Sequence, residues 1–122
     1  VAAEGLTLDG LTPGQPAPTS GWSRSPAHPG SFLRGGTQID VKDGRIVSVW
    51  GKRLQTSEGG VVQRGDSDAA VARCLGKAER TLYGCGKDNQ QVRFFDRRGL
   101  EVTSTHDKVV QIHLFTPAQE FR

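Results

Sequence analysis

A stretch near the middle of the chain returns near its end. Gly36–Trp50 aligns without a gap with Gly99–His113, so that Ile39 falls on Val102, Arg45 on Lys108, Ile46 on Val109, Val47 on Val110 and Val49 on Ile112. Phe32 and Phe95, and Arg34 and Arg97, stand at the same offset upstream. Recurrence at this scale constrains the fold more than composition does, because each copy is one supersecondary unit whose hydrophobic face needs its neighbour. The front of each copy corresponds at a smaller offset, pairing Gly10 with Gly65, Thr12 with Ser67 and Gly21 with Gly76. The expectation is one domain over residues 1–122. It would hold two unequal units sharing a core, one over about 10–50 and the other over about 64–115.

A chain of 122 residues suffices for one such core. Sixteen glycines and a hydrophobic content of 34% imply abundant turns and a modest interior. The net charge of +3 is mildly basic and falls short of the charge density of a dedicated nucleic-acid binder. No stretch reaches the length of about 18 apolar residues that a membrane-spanning helix needs. The chain starts at Val1 and contains no methionine, so residue 1 reads as a processed or trimmed start: a removed secretory signal, or a boundary within a longer chain.

Local patterns supply the elements. Five of the six prolines lie in residues 1–35, which disfavours helix there. Leu6, Leu8, Leu11, Trp22 and Phe32 remain available to pack that segment. Ile39 and Val41 alternate with polar residues, Asp43-Gly44 supplies a turn, and Ile46–Trp50 returns, which predicts a hairpin. Core-facing positions would be Ile39, Val41, Ile46 or Val47, and Val49, matched by Val102, Val109 or Val110, and Ile112. Trp50, closing an apolar strand, reads as a core residue. Residues 51–60 read as a polar connection.

Ser67–Leu75 reads as a short helix, with Ser67 as N-cap, Asp66 and Asp68 at the positive end of the dipole, Gly76 as the stop, and Val71, Cys74 and Leu75 on one face. Thr81–Cys85 against Val92–Phe95, and Leu100–Ser104 against Lys108–Phe115, follow as hairpins. The predicted class is α+β, an antiparallel sheet with one short helix on one face.

The second unit carries Gly65-Asp-Ser67-Asp-Ala-Ala-Val71-Ala-Arg-Cys-Leu75-Gly76, then Val92-Arg-Phe-Phe95 and Lys108-Val-Val-Gln-Ile112. Over roughly residues 60–115 this resembles the small outer-membrane lipoprotein of the barrel-assembly machinery. More broadly it is similar to the fold of the β-lactamase inhibitor protein, in which two such units can stand in tandem. The chain departs from the pattern at Ala70, where an acidic residue is usual, and at Ala78, where proline often follows. It also has no lipid-bearing cysteine at its start. The resemblance implies an extracytoplasmic protein-binding module with no active site.

Cys74 and Cys85 are the only cysteines. A disulfide between them would staple the helix to the following strand and contribute ~3 kcal/mol by loop entropy, and it would place the protein in an oxidising, periplasmic or secreted setting. Two reduced buried thiols are the alternative. A metal pair fits poorly, since the histidines match no zinc spacing, and neither a metal nor another cofactor is expected. His106-Asp107 falls in a turn. His113 alternates with Ile112 and Leu114 and belongs on the outer sheet face, where Glu101 on the adjacent strand is its one candidate catalytic partner.

Arg93, Arg97, Arg98 and Lys108 near Tyr83, Phe94 and Phe95 admit a second function class, a small basic enzyme or nucleic-acid binder using an Arg/aromatic sheet face. The favoured expectation is a non-catalytic module, an accessory subunit or a protein inhibitor. Its partner would be another protein, and Trp22, Trp50, Tyr83 and Arg93 are the candidate contacts, because Trp, Tyr and Arg dominate interface energetics.

Overall fold

The computed structural model describes residues 5–18, 20–84 and 90–117. Alternation and turn chemistry produce eleven strands and one α-helix among these residues, in the order β1 (Leu6–Leu8), β2 (Ser23–Arg24), β3 (Ser31–Arg34), β4 (Thr37–Lys42), β5 (Arg45–Gly51), β6 (Arg53–Thr56), β7 (Val61–Gln63), α1 (Asp68–Leu75), β8 (Arg80–Tyr83), β9 (Gln90–Phe95), β10 (Leu100–Thr105) and β11 (Lys108–Phe115). Every named strand pairing is antiparallel. The main sheet has eight strands in the order β2-β3-β4-β5-β11-β10-β9-β8, and a smaller one has three in the order β1-β6-β7. The class is α+β and mostly β.

The two expected hairpins are built alike. In the first, Asp43 and Gly44 take φ of 54° and 77°, the left-handed pair a two-residue turn requires. In the second, His106 and Asp107 hold the same conformation at 51° and 63°. Gln38, Ile39 and Asp40 pair with Trp50, Val49 and Ser48; Val41 then pairs with Ile46, which leaves Val47 as a bulge. Glu101, Val102 and Thr103 pair with His113, Ile112 and Gln111; Ser104 then pairs with Val109, which leaves Val110 as a bulge. Ile39, Ile46, Val49, Val102, Val109 and Ile112 are buried, and Val41 packs against them.

The upstream alignment does not hold. Thr37 pairs with Arg34, whereas its counterpart Leu100 pairs with Phe95. A 3-10 turn at Asp96–Arg98 intervenes, so Phe95 rather than Arg97 stands where Arg34 stands in the first hairpin.

Residues 51–60 are not a mere connection. Leu54 is fully buried, and β6 runs down the middle of the small sheet with β1 and β7 on either side. Leu6, Leu8, Leu54 and Val62 from this sheet, and Val71 and Leu75 from α1, close over the inner face of the large sheet as one contiguous core.

Ser67 caps α1 by accepting from the Ala70 amide at 3.2 Å, and Gly76 ends it at φ 79°. A second cap comes from the β10–β11 turn, where Asp107 Oδ1 accepts from the Asp68 amide at 3.0 Å.

Asp9 ties the N-terminal segment to the sheets. Its carboxylate accepts from the Lys52 and Arg53 amides at 3.1 and 2.9 Å and from the Thr37 hydroxyl. A Cβ at Gly51 would run into this carboxylate, so a side chain there would displace the anchor. Gly99, at φ 68°, likewise leaves no room for a Cβ beside the Phe115 carbonyl.

Candidate binding face

The bulge at Val47 decides which way the following residues point. One extra residue reverses the alternation along β5, so Val49 and Gly51 face the core and Trp50 turns outward. The bulge at Val110 does the same in β11: Ile112 and Leu114 are buried and His113 points out. Trp50 is therefore half-buried on the outer face and not in the core.

Trp50 and His113 are register partners where β5 meets β11. Their rings stack with centroids 4.2 Å apart and planes 6° from parallel, and Phe115 follows at 4.8 Å from His113. Away from this junction, Trp50 pairs with Gln38 and then Leu33. On the other side His113 pairs with Glu101, Phe94 and Arg80 in turn. One outward side chain from each strand thus forms a row across the sheet. Arg80 covers Phe94 at 3.8 Å from the ring centroid and is itself paired with Asp96 at 2.9 Å. The helix and small sheet lie on the opposite face, so among the described residues no secondary-structure layer covers this one. Clefts of about 560 Å³ and 260 Å³ flank Trp50. Asp40, Ser31 and His28 line the larger.

The His113–Glu101 pair forms as the strand register requires, with Nδ1 3.5 Å from Oε2. Burial lowers the His113 pKa below the ordinary histidine value, and the negative charges of Glu101 and Asp40 oppose it. Nε2, the nitrogen a general base would present, is buried with no hydrogen-bond partner among the described residues. Trp50 stacks on the ring and Phe115 stands beside it, so only 18% of the His113 side chain is exposed.

The other candidate contacts do not gather here. Trp22 packs against the core with the Arg34 guanidinium 4.5 Å above its ring. Tyr83 is 72% exposed at the far edge, on β8. Arg93 points inward to Asp68 at 2.9 Å and to Ser104 at 3.4 Å, beneath the start of α1. Burial raises the Asp68 carboxyl, but the hydrogen bonds from Arg93 and Ser104 and the Arg93 charge outweigh it, and the net pKa is lowered. Phe94 and Phe95 are both buried, Phe95 in the core and Phe94 under Arg80.

Cys74 lies over Gly60, close enough that a side chain there would meet its sulfur, and has no sulfur partner among the described residues. Cys85 lies outside them, and the expected disulfide with it. Among the described residues no three His, Cys, Asp or Glu side chains are placed so that they could hold a metal ion, and no helix is long and apolar enough to cross a membrane. No protein-family model matches the chain, and comparison with curated proteins and with solved structures finds no match.

Trp50, His113 and Glu101 carry the face, and of these only Trp50 was expected as a contact. The sequence signal for the other two was their alternation along β10 and β11.

Proposed function

We propose that the chain is a non-catalytic protein-binding module that docks another protein on the outer face of its eight-stranded sheet, as an accessory subunit of a larger assembly or as an inhibitor. The observation that carries this reading is the uncovered row centred on the Trp50–His113 stack. It is an aromatic centre with Gln38, Glu101 and Arg80 at graded distances, the anatomy of an anchor with a polar rim. The reading includes two unequal related units in one domain. The shared turn conformation, register and bulge position of the two hairpins support it, as do the left-handed glycines Gly10 and Gly65, and Gly21 and Gly76. It also includes an extracytoplasmic location, which rests on the expected Cys74–Cys85 bond. Alkylation of the native, unreduced protein followed by intact mass checks that bond; two alkylated thiols would remove both the bond and the argument for location.

A basic enzyme or nucleic-acid binder has thinner support. Arg93 and Arg80 are committed to Asp68 and Asp96, and the carboxylates of Glu101 and Asp40 stand near the aromatic centre.

The deciding experiment is photo-crosslinking in native source material. A crosslinker at Gln111, exposed on the outer face, should give one discrete protein adduct, and one at Lys77, exposed near the end of α1, should not. Trp50→Ala should then weaken that partner by ~2 kcal/mol or more with the fold intact. Equal labelling from both positions, or turnover by the purified protein that disappears in His113→Ala, overturns the assignment.

A further inference from the structure

The two ends of the large sheet are finished differently. At one end β2 is two residues long, its side chains are exposed Ser23 and Arg24, and Pro26 follows shortly after. Such an edge offers little to an incoming strand. At the other end β8 has four residues, pairs with β9 without a break in register, and contains neither proline nor lysine. Its Leu82 is 55% exposed and its Tyr83 72%. Its shortness and Arg80 are its only guards among the described residues, where no further strand pairs with it.

The direction of its backbone groups follows from one bond. The Gly84 amide donates to the Gln90 carbonyl at 2.8 Å, which makes Gly84 and Gln90 a hydrogen-bonded pair. Such pairs alternate along an antiparallel ladder, so Leu82 with Val92 and Arg80 with Phe94 are bonded as well. Thr81 and Tyr83 therefore turn their N–H and C=O groups away from β9. The free edge presents two donors and two acceptors, placed evenly on either side of Leu82.

We infer that β8 pairs antiparallel with β8 of a second copy of this chain, about a two-fold axis at Leu82. Only this centring uses every free group on both strands: Thr81 of each copy bonds Tyr83 of the other, giving four backbone hydrogen bonds. Leu82 then faces Leu82 of the second copy as a non-hydrogen-bonded pair, the geometry in which side chains approach most closely. Arg80 falls opposite Gly84 of the second copy, so the two guanidinium groups stay apart, and each is already neutralised by Asp96. The backbone groups would accept any strand; the apolar Leu82–Leu82 contact at the axis and the Arg80–Gly84 offset are what favour a second copy. The two outer faces join into one sixteen-stranded surface. This dimer stands independently of the docking reading, because β8 can pair whether or not the Trp50 face has a partner. With so short a seam it is weak, with a dissociation constant on the order of 10⁻⁴ M.

Sedimentation equilibrium from about 10 µM to about 1 mM tests it, a range that spans the expected constant. The wild type should pass from monomer to dimer. Thr81→Pro removes an amide hydrogen that β9 does not use, and Leu82→Asp places like charges together at the axis; each should raise the dissociation constant at least ~10-fold, with the circular dichroism unchanged. In a Cys74→Ser, Cys85→Ser background, Leu82→Cys should oxidise to a linked dimer and Arg80→Cys should not. A wild type that stays monomeric throughout, a dimer that survives both Thr81→Pro and Leu82→Asp, or an edge that captures only strands of other proteins overturns the inference. Should Thr81→Pro fail to fold, Leu82→Asp and the cysteine pair still decide it.

Discussion

Removing the Asp9 carboxylate should be among the more damaging single changes at the protein surface. It accepts from three donors, two backbone amides and the hydroxyl of Thr37, a residue only 8% exposed. A bond to a charged acceptor contributes roughly 1.5–3 kcal/mol when water cannot replace it. The Lys52 and Arg53 amides lie near solvent, so we assign about 1 kcal/mol to each and about 1 to the buried Thr37 hydroxyl. Asp9 also sits at φ 52°, where aspartate is tolerated and alanine is strained by roughly another 1 kcal/mol.

Asp9→Ala should therefore cost about 4 kcal/mol, Asp9→Gly about 3 because glycine relieves the backbone, and Asp9→Asn about 1 because one acceptor oxygen remains. With an unfolding entropy of about 2.1 cal/mol/K per residue over 122 residues, 4 kcal/mol corresponds to a fall in Tm of roughly 15 °C. Urea and thermal unfolding of the three variants would measure it. A loss below about 1 kcal/mol for Asp9→Ala, or Gly and Ala variants of equal stability, would refute the assignment of an anchoring role and of backbone strain.

The His113 ring should make stability depend on pH. Burial lowers its folded pKa below the ordinary 6.5, so the unfolded chain binds the proton first. This contribution is full above the unfolded value and is lost as pH falls through the lowered folded one. Between pH 8 and 5 the wild type should lose more stability than His113→Phe, and parallel curves would refute it. Gly99→Ala should cost several kcal/mol, since it combines a left-handed φ with a clash against the Phe115 carbonyl; a soluble variant within about 1 kcal/mol of wild type by urea unfolding would show that the loop yields.

How much of this was legible follows from what each residue reports locally. The hairpins were readable because Asp43-Gly44 names a turn and the flanking residues alternate. Ser67 and Gly76 marked the helix ends because capping chemistry is local. β6 and β7 escaped notice because three-stranded pairing lets a single buried residue per strand, Leu54 or Val62, hold a polar segment in a sheet. Trp50 was misplaced for a sharper reason. In a regular strand, Ile46 facing the core would bring Trp50 to the core too, and only the bulge at Val47 reverses it. A bulge belongs to two strands at once and leaves no mark in one. Arg93 was offered as a surface contact because charge in a strand reads as exposed; its partner Asp68 is brought near only by the fold.

The junction of β5 with β11 has a consequence for how the chain reaches this structure. β2 through β5 and β8 through β11 are each joined to their sequence neighbours, so both meanders can form from local encounters. β5 and β11 are separated along the chain by β6, β7, α1 and the three strands β8 to β10. Closing so long a loop is entropically slow, so this contact belongs late on the folding route. Trp50 stacks on His113 across that very seam. In a Trp22→Phe variant the Trp50 fluorescence should time the closing of that seam, while far-UV circular dichroism follows the meanders before it.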